Sequence, residues 1–149
     1  MAEIDTAFLK AMLPSALDDI VRANRDKVEL ALASEEQLAP LSKSVAATNQ
    51  VRGAISDWRF IAMTVDIPER RLWMENVYLV GVHEGHDWIT SAIQSIDRER
   101  MLVRTRNSVY RLIGDPGIGE PDTGALLGIC SAFTAWGWGP MLGVPTLFY

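Results

Sequence analysis

Residues 77–113, VYLVGVHEGHDWITSAIQSIDRERMLVRTRNSVYRLI, constrain the fold more than any other stretch of the chain. Apolar, alternating runs are cut by short polar breaks at a spacing of about ten residues, the signature of an antiparallel meander. Residues 77–82 are apolar and β-branched, which suits a strand covered on both faces. His83-Glu84-Gly85-His86-Asp87 is polar around a central Gly and reads as a turn. Residues 88–96 alternate, with Ile89, Ser91, Ile93 and Ser95 on one face and Thr90, Ala92, Gln94 and Ile96 on the other. A polar break at 97–99 follows. Arg100, Leu102 and Arg104 then oppose Met101, Val103 and Thr105. Arg106-Asn107-Ser108 is a second tight turn, because Asn tolerates left-handed backbone. Residues 109–113 close the meander. Strands at this spacing make an antiparallel sheet that curls, on the pattern of a small SH3-like barrel.

The segments on either side have a different period. Asp5 is a cap for a short helix to about residue 12, which Pro14 stops. Ser15-Ala16-Leu17-Asp18 resembles a capping box and opens a helix with its stripe at Leu17, Ile20, Val21, Val28, Ala31 and Leu32. Ser34-Glu35-Glu36-Gln37 is a full capping-box pattern, and Pro40 breaks the helix it starts. A thinner stripe at Leu41, Val45, Thr48 and Ile55 continues to about Ser56. The period changes at Asp57, and residues 58–65 are aromatic and β-branched enough for a strand. After the meander, four Gly and two Pro in residues 114–124 make a loop. Asp122 or Thr123 then caps a helix to about Trp136. The expectation is an α+β fold in one domain, residues 1–149. An N-terminal helical arm (1–56) packs on an antiparallel meander or small barrel (57–113), followed by a loop, a C-terminal helix and a Trp-rich tail (114–149).

Charge narrows the class of function. The chain carries a net charge of −5, yet residues 89–113 hold five arginines against two acids. A mildly acidic chain is poorly suited to non-specific nucleic-acid binding. Cys130 is the single cysteine, so no intrachain disulfide forms, and with no signal peptide the cytoplasm is the expected compartment. The longest apolar run, 125–138, is too short and too rich in Gly, Ser and Thr to span a membrane.

Three clusters carry possible chemistry. His83, Glu84, His86 and Asp87 combine imidazoles and carboxylates suited to zinc or another divalent metal, as the centre of a small metal-dependent enzyme. Their spacing matches no established metal motif, so a solvated turn is the preferred reading and no cofactor is expected. Arg98, Arg100, Arg104, Arg106 and Arg111 form a basic strip. Arg100, Arg104 and Arg106 with Tyr110 are candidates for contact with an acidic partner or, as an alternative, with nucleic acid on a small barrel. The plain reading is a solvated, salt-bridged face. Trp136 and Trp138, with Phe133, Phe148 and Tyr149, are either core or contact anchors. The Gly-rich loop lacks the lysine and spacing of a phosphate loop. No nucleophile–base set is present, so an enzyme is disfavoured.

Trp88-Ile-Thr-Ser-Ala-Ile, followed by Val103-Arg-Thr-Arg-Asn-Ser-Val-Tyr-Arg-Leu112, resembles a strand-and-hairpin pattern found in small uncharacterised proteins of proteobacteria and their phages. The resemblance covers about 25 of the chain's 149 residues and includes no catalytic residue. It implies a phage or mobile-element setting, in which compact acidic proteins, anti-CRISPR proteins among them, inhibit host machinery. The expectation is therefore a non-enzymatic protein-binding inhibitor whose partner is a host protein or complex. It uses Arg100, Arg104, Arg106, Tyr110, Trp136 and Trp138, binds no membrane, and is open to homodimer formation.

Overall fold

The computed structural model describes residues 13–46 and 51–143. The expected helix before Pro14 and the terminal Phe148 and Tyr149 lie outside them. The fold is α+β: a six-stranded mixed sheet with short helical segments and one longer helix. The strands are β1 (Val28–Leu32), β2 (Val51–Ile67), β3 (Leu72–His83), β4 (His86–Asp97), β5 (Leu102–Thr105) and β6 (Val109–Leu112). Neighbours pair antiparallel in chain order, and the start of β2 also pairs parallel with β6. The pairings thus run in a circuit from β2 through β3, β4, β5 and β6 back to β2. That parallel seam departs from the all-antiparallel expectation.

The 17-residue β2 makes the circuit, because its two ends pair with different strands. It bends at an irregularity between Ser56 and Arg59, where Asp57 takes a φ of 49°. Bulges of this kind sharpen local twist and let one strand serve two pairings.

Within residues 1–56, the expected helical character is corrected at residues 28–32 and 51–56. The helix that opens near residue 17, α1 (Leu17–Ile20), lasts one turn, held by the Asp19 carboxylate, which accepts from Ser15 N (2.8 Å) and Ala16 N (3.2 Å). Residues 28–32 form β1. Val28 and Leu30 are buried and Glu29 is exposed, an alternation that β2 completes across Val28↔Val65 and Leu30↔Met63. Residues 51–56 belong to β2 rather than to a helix. The capping box at Ser34 does form: Gln37 N donates to Ser34 Oγ (3.2 Å) and Ser34 N to Gln37 Oε1 (2.9 Å), opening α2 (Glu35–Leu38).

Two principal cores result. Helix α3 (Thr123–Ala135) is capped by Asp122, whose Oδ1 accepts from Ala125 N (2.8 Å). It turns Leu126, Ile129, Cys130 and Phe133 inward, an i, i+3, i+4, i+7 stripe. These pack with Leu17, Ile20, Leu30, Ile61 and Met63 on one face of the sheet. The second core lies between the strands of the circuit and holds Ile55, Leu79, Ile93, Ile96, Val103, Tyr110 and Leu112. Ile93 and Ile96, expected on opposite faces, share this core because β4 is irregular between Ile93 and Ser95.

Candidate functional site

Strand β2 presents Trp58 and Phe60 two residues apart, so both fall on one face; their ring centroids are 5.5 Å apart. Residues 114–119 are strapped against this part of the strand. Trp58 Nε1 donates to Gly114 O (3.1 Å) and Gly117 N donates to Trp58 O (2.9 Å). The Arg59 guanidinium donates to Gly119 O (2.8 Å) and Ile118 O (3.0 Å), and to Asp57 Oδ2 (3.2 Å). A Cβ at Gly117 would meet the Arg59 guanidinium, so a side chain there displaces the guanidinium from its present position. The loop thus becomes one wall of a groove of about 340 Å³. Leu32, Ala33 and α2 form the opposite wall, joined to β2 by Ala33 N donating to Phe60 O (2.9 Å). Ile96, Leu112 and Met101 line the groove where it meets the second core. Glu35 and Arg98 pair at its rim at 3.3 Å.

The lining is apolar and aromatic, with charge at the margins in Glu35, Arg59 and Arg98. Arg59 and Arg98 are already engaged, and among the described residues no Ser, Thr, Cys or His lines the space. The chemistry of such a lining suits an apolar side chain or ligand, with the Glu35 carboxylate at its rim paired to Arg98. Leu32 is 38% exposed at its edge and Ile118 94% exposed on the outer side of the loop, extending the apolar surface beyond the groove.

The expected site residues are dispersed. His83 and His86 face each other across a two-residue turn, Glu84 (φ 51°) and Gly85 (φ 79°). His83 packs edge-on against Trp88 (4.9 Å), fills the space a Cβ at Gly53 would need, and places Nδ1 3.3 Å from Ala54 O. The Arg52 guanidinium lies 5.4 Å from the same indole. His86 is exposed, and Asp87 lines a separate cleft of about 80 Å³ with Asp57, Trp88 and Asp122. Among the described residues, no group of three or more His, Cys, Asp or Glu side chains is placed to hold a metal ion.

Arg100 reaches Val45 O (3.3 Å) and sits 3.9 Å from Asp97. Asp97 accepts from the backbone N–H groups of Val45 and Arg100, which hold its carboxyl below the ordinary range. Arg104 and Arg106 line a shallow polar depression of about 220 Å³ with Gln94, Asn107 and Ser108. Tyr110 is 3% exposed and belongs to the second core, which removes it from the surface strip. Trp138 is half-buried against the first core; Trp136 stacks on Tyr78 (5.9 Å) and stays 41% exposed. Burial pushes the Cys130 thiol up to about 11, so it is unreactive at neutral pH.

Sequence reasoning missed Leu32, Trp58 and Phe60 as lining residues. The available signal was the Trp-x-Phe spacing, which puts two large rings on one face of a single strand. Among the described residues, no helix is long and apolar enough to cross a membrane. No protein family, curated protein or solved structure matches the chain.

Proposed function

We propose that this chain is a non-enzymatic protein-binding module whose recognition surface is the groove beside Trp58 and Phe60. The observation that carries the reading is an open apolar groove of about 340 Å³ walled by a strapped loop and rimmed by charge. Aromatic anchoring pockets with polar rims are the usual seat of binding energy in protein interfaces. The circuit of β2 to β6 supports a small SH3-like barrel as the scaffold. The partner inserts an apolar side chain between Leu32 and Phe60, while Glu35 and Arg98 fix its orientation. Arg104 and Arg106 offer a second contact for acidic groups. With the resemblance of residues 88–112 to phage-associated proteins, the reading extends to a phage- or mobile-element-encoded inhibitor of a host defence complex. The net charge of −5 disfavours nucleic acid as the partner.

The test is affinity capture from a bacterial lysate with wild type, Leu32→Glu and Trp136→Ser. A stoichiometric partner that survives Trp136→Ser but binds at least ~30-fold more weakly to Leu32→Glu, about 2 kcal/mol, supports the groove. Leu32→Glu must keep the wild-type melting temperature for that result to count. A partner that ignores Leu32→Glu, or binding lost only with Trp136→Ser, overturns it.

A further inference from the structure

The turn between β5 and β6 carries two arginines that hold no acid. Thr105 N donates to Ser108 O (2.8 Å) and the Thr105 hydroxyl donates to the same oxygen (3.3 Å), which closes the turn around Arg106 and Asn107. Arg104, Arg106, Asn107, Ser108 and Gln94 line the depression of about 220 Å³ beside it. Elsewhere Arg25 pairs with Asp18, Arg59 with Asp57 and Arg98 with Glu35. Among the described residues, no ion pair and no side-chain hydrogen bond engages Arg104, Arg106, Gln94 or Asn107. The surrounding sequence offers no acid either. Val51 pairs with Val109, and residues 42–56 carry Lys43 and Arg52 but no carboxylate. Asp97 and Glu99, the two acids of residues 89–113, sit at the opposite end of β5. A chain of net charge −5 thus bears a local positive island.

The donors select among anions. Each guanidinium presents a planar fork that takes two oxygens. A carboxylate has two oxygens and one charge, and it fills one fork. A phosphate monoester carries a charge of about −2 and three acceptor oxygens. That is enough to engage both forks and a neutral donor, the Asn107 amide or the Ser108 hydroxyl. Arg104 is half-buried with Val109 as its register partner, which reduces the side-chain freedom that binding must remove. A long phosphodiester is a poorer match, because it would run from the island onto the surface of a net acidic chain.

We infer that the depression at the β5–β6 turn binds a single phosphate monoester group, held between Arg104 and Arg106. The inference rests on the reading of these arginines as a contact for acidic groups, and it names the group. The groove beside Trp58 takes no part in it.

Amide chemical shifts of the isotope-labelled full chain, followed during titration with inorganic phosphate at constant ionic strength, test it. The expected result is a saturable shift of the Asn107 and Ser108 signals with a dissociation constant in the millimolar range, and one at least ~5-fold higher for acetate. Arg104→Gln and Arg106→Gln should each weaken phosphate binding at least ~5-fold at an unchanged melting temperature. Leu32→Glu should bind phosphate like wild type, so a groove that captures no partner and a failure of this site are read separately. A phosphoserine peptide and a mononucleotide share the group. Tighter binding of the peptide assigns it to a phosphorylated partner, tighter binding of the nucleotide to a small metabolite, and either supports the site. Signals that drift without saturating, that shift equally with phosphate, acetate and chloride, or that ignore both arginine variants overturn the inference. A single-stranded oligonucleotide that binds more tightly per phosphate than the monoester also overturns it, since that is the behaviour of a nucleic-acid face.

Discussion

Replacing Arg59 by Ala should release the loop that walls the groove. Its side chain is 14% exposed, and its guanidinium holds two loop carbonyls, at 2.8 Å and 3.0 Å. A hydrogen bond from a charged donor contributes roughly 1.5–3 kcal/mol where water is excluded. Here water can reach the loop carbonyls once the side chain is gone, which brings each loss to about 1 kcal/mol. The ion pair to Asp57, a largely exposed carboxylate, adds little. The expected cost is therefore ~2 kcal/mol, or a fall in melting temperature of about 4–8 °C for a domain of this size. The loss should be local before it is global. Gly117 N–H, bonded to Trp58 O, should exchange with deuterium ~30-fold faster, while the amides of α3 keep their protection. Arg59→Lys keeps the charge but cannot span two carbonyls, so it should recover less than half of the loss. An Arg59→Ala protein melting within about 1 °C of wild type, with Gly117 exchange unchanged, would show that Trp58 alone holds the loop and refute the reasoning.

Two further outcomes test the packing and the electrostatics. Phe133, fully buried and edge-on to Tyr78 at 5.6 Å, ties α3 to the sheet; Phe133→Ala should cost about 3–5 kcal/mol in urea unfolding, and a loss under about 1.5 kcal/mol would show that the first core collapses around the gap. The Asp97 carboxyl is held below its ordinary range by backbone donors, so its contribution is present at neutral pH and disappears as pH falls through that depressed value; the stability gap between wild type and Asp97→Asn should close in acid, and a gap independent of pH would contradict the assignment.

Much of the sheet was legible in the sequence because its turns are chemically marked. Glu84-Gly85 and the Arg106–Ser108 break fall where strands end, and Ser34 and Asp122 cap the helices expected of them. Residues 28–32 were not legible. Val28, Ala31 and Leu32 fit a helical stripe, whereas Val28 and Leu30 fit a strand, and only the presence of β2 alongside decides between them. The irregularities in β2 and β4 have no local signature, so Ile93 and Ile96 were assigned to opposite faces and the reach of β2 to β6 went unseen. The groove was hidden for a related reason. Its walls come from β1, α2, β2 and the 114–119 loop, which no spacing rule links. Tyr110 was misplaced because aromatic character does not distinguish a surface anchor from a core ring.

The parallel seam between β2 and β6 also governs the order in which the chain can fold. Hairpins between consecutive strands need only short loops to close, whereas Val51 meets Val109 only after every strand between them has been made. Closure over such a span carries a larger entropic barrier and is slow relative to the hairpins. On a ribosome, β2, β3 and β4 can pair while β6 is still inside the exit tunnel, with the β2 edge at Ala54 and Ile55 unpaired until Arg111 and Leu112 arrive beside it. The nascent chain therefore passes through an unsealed stage whose duration is set by the rate of translation.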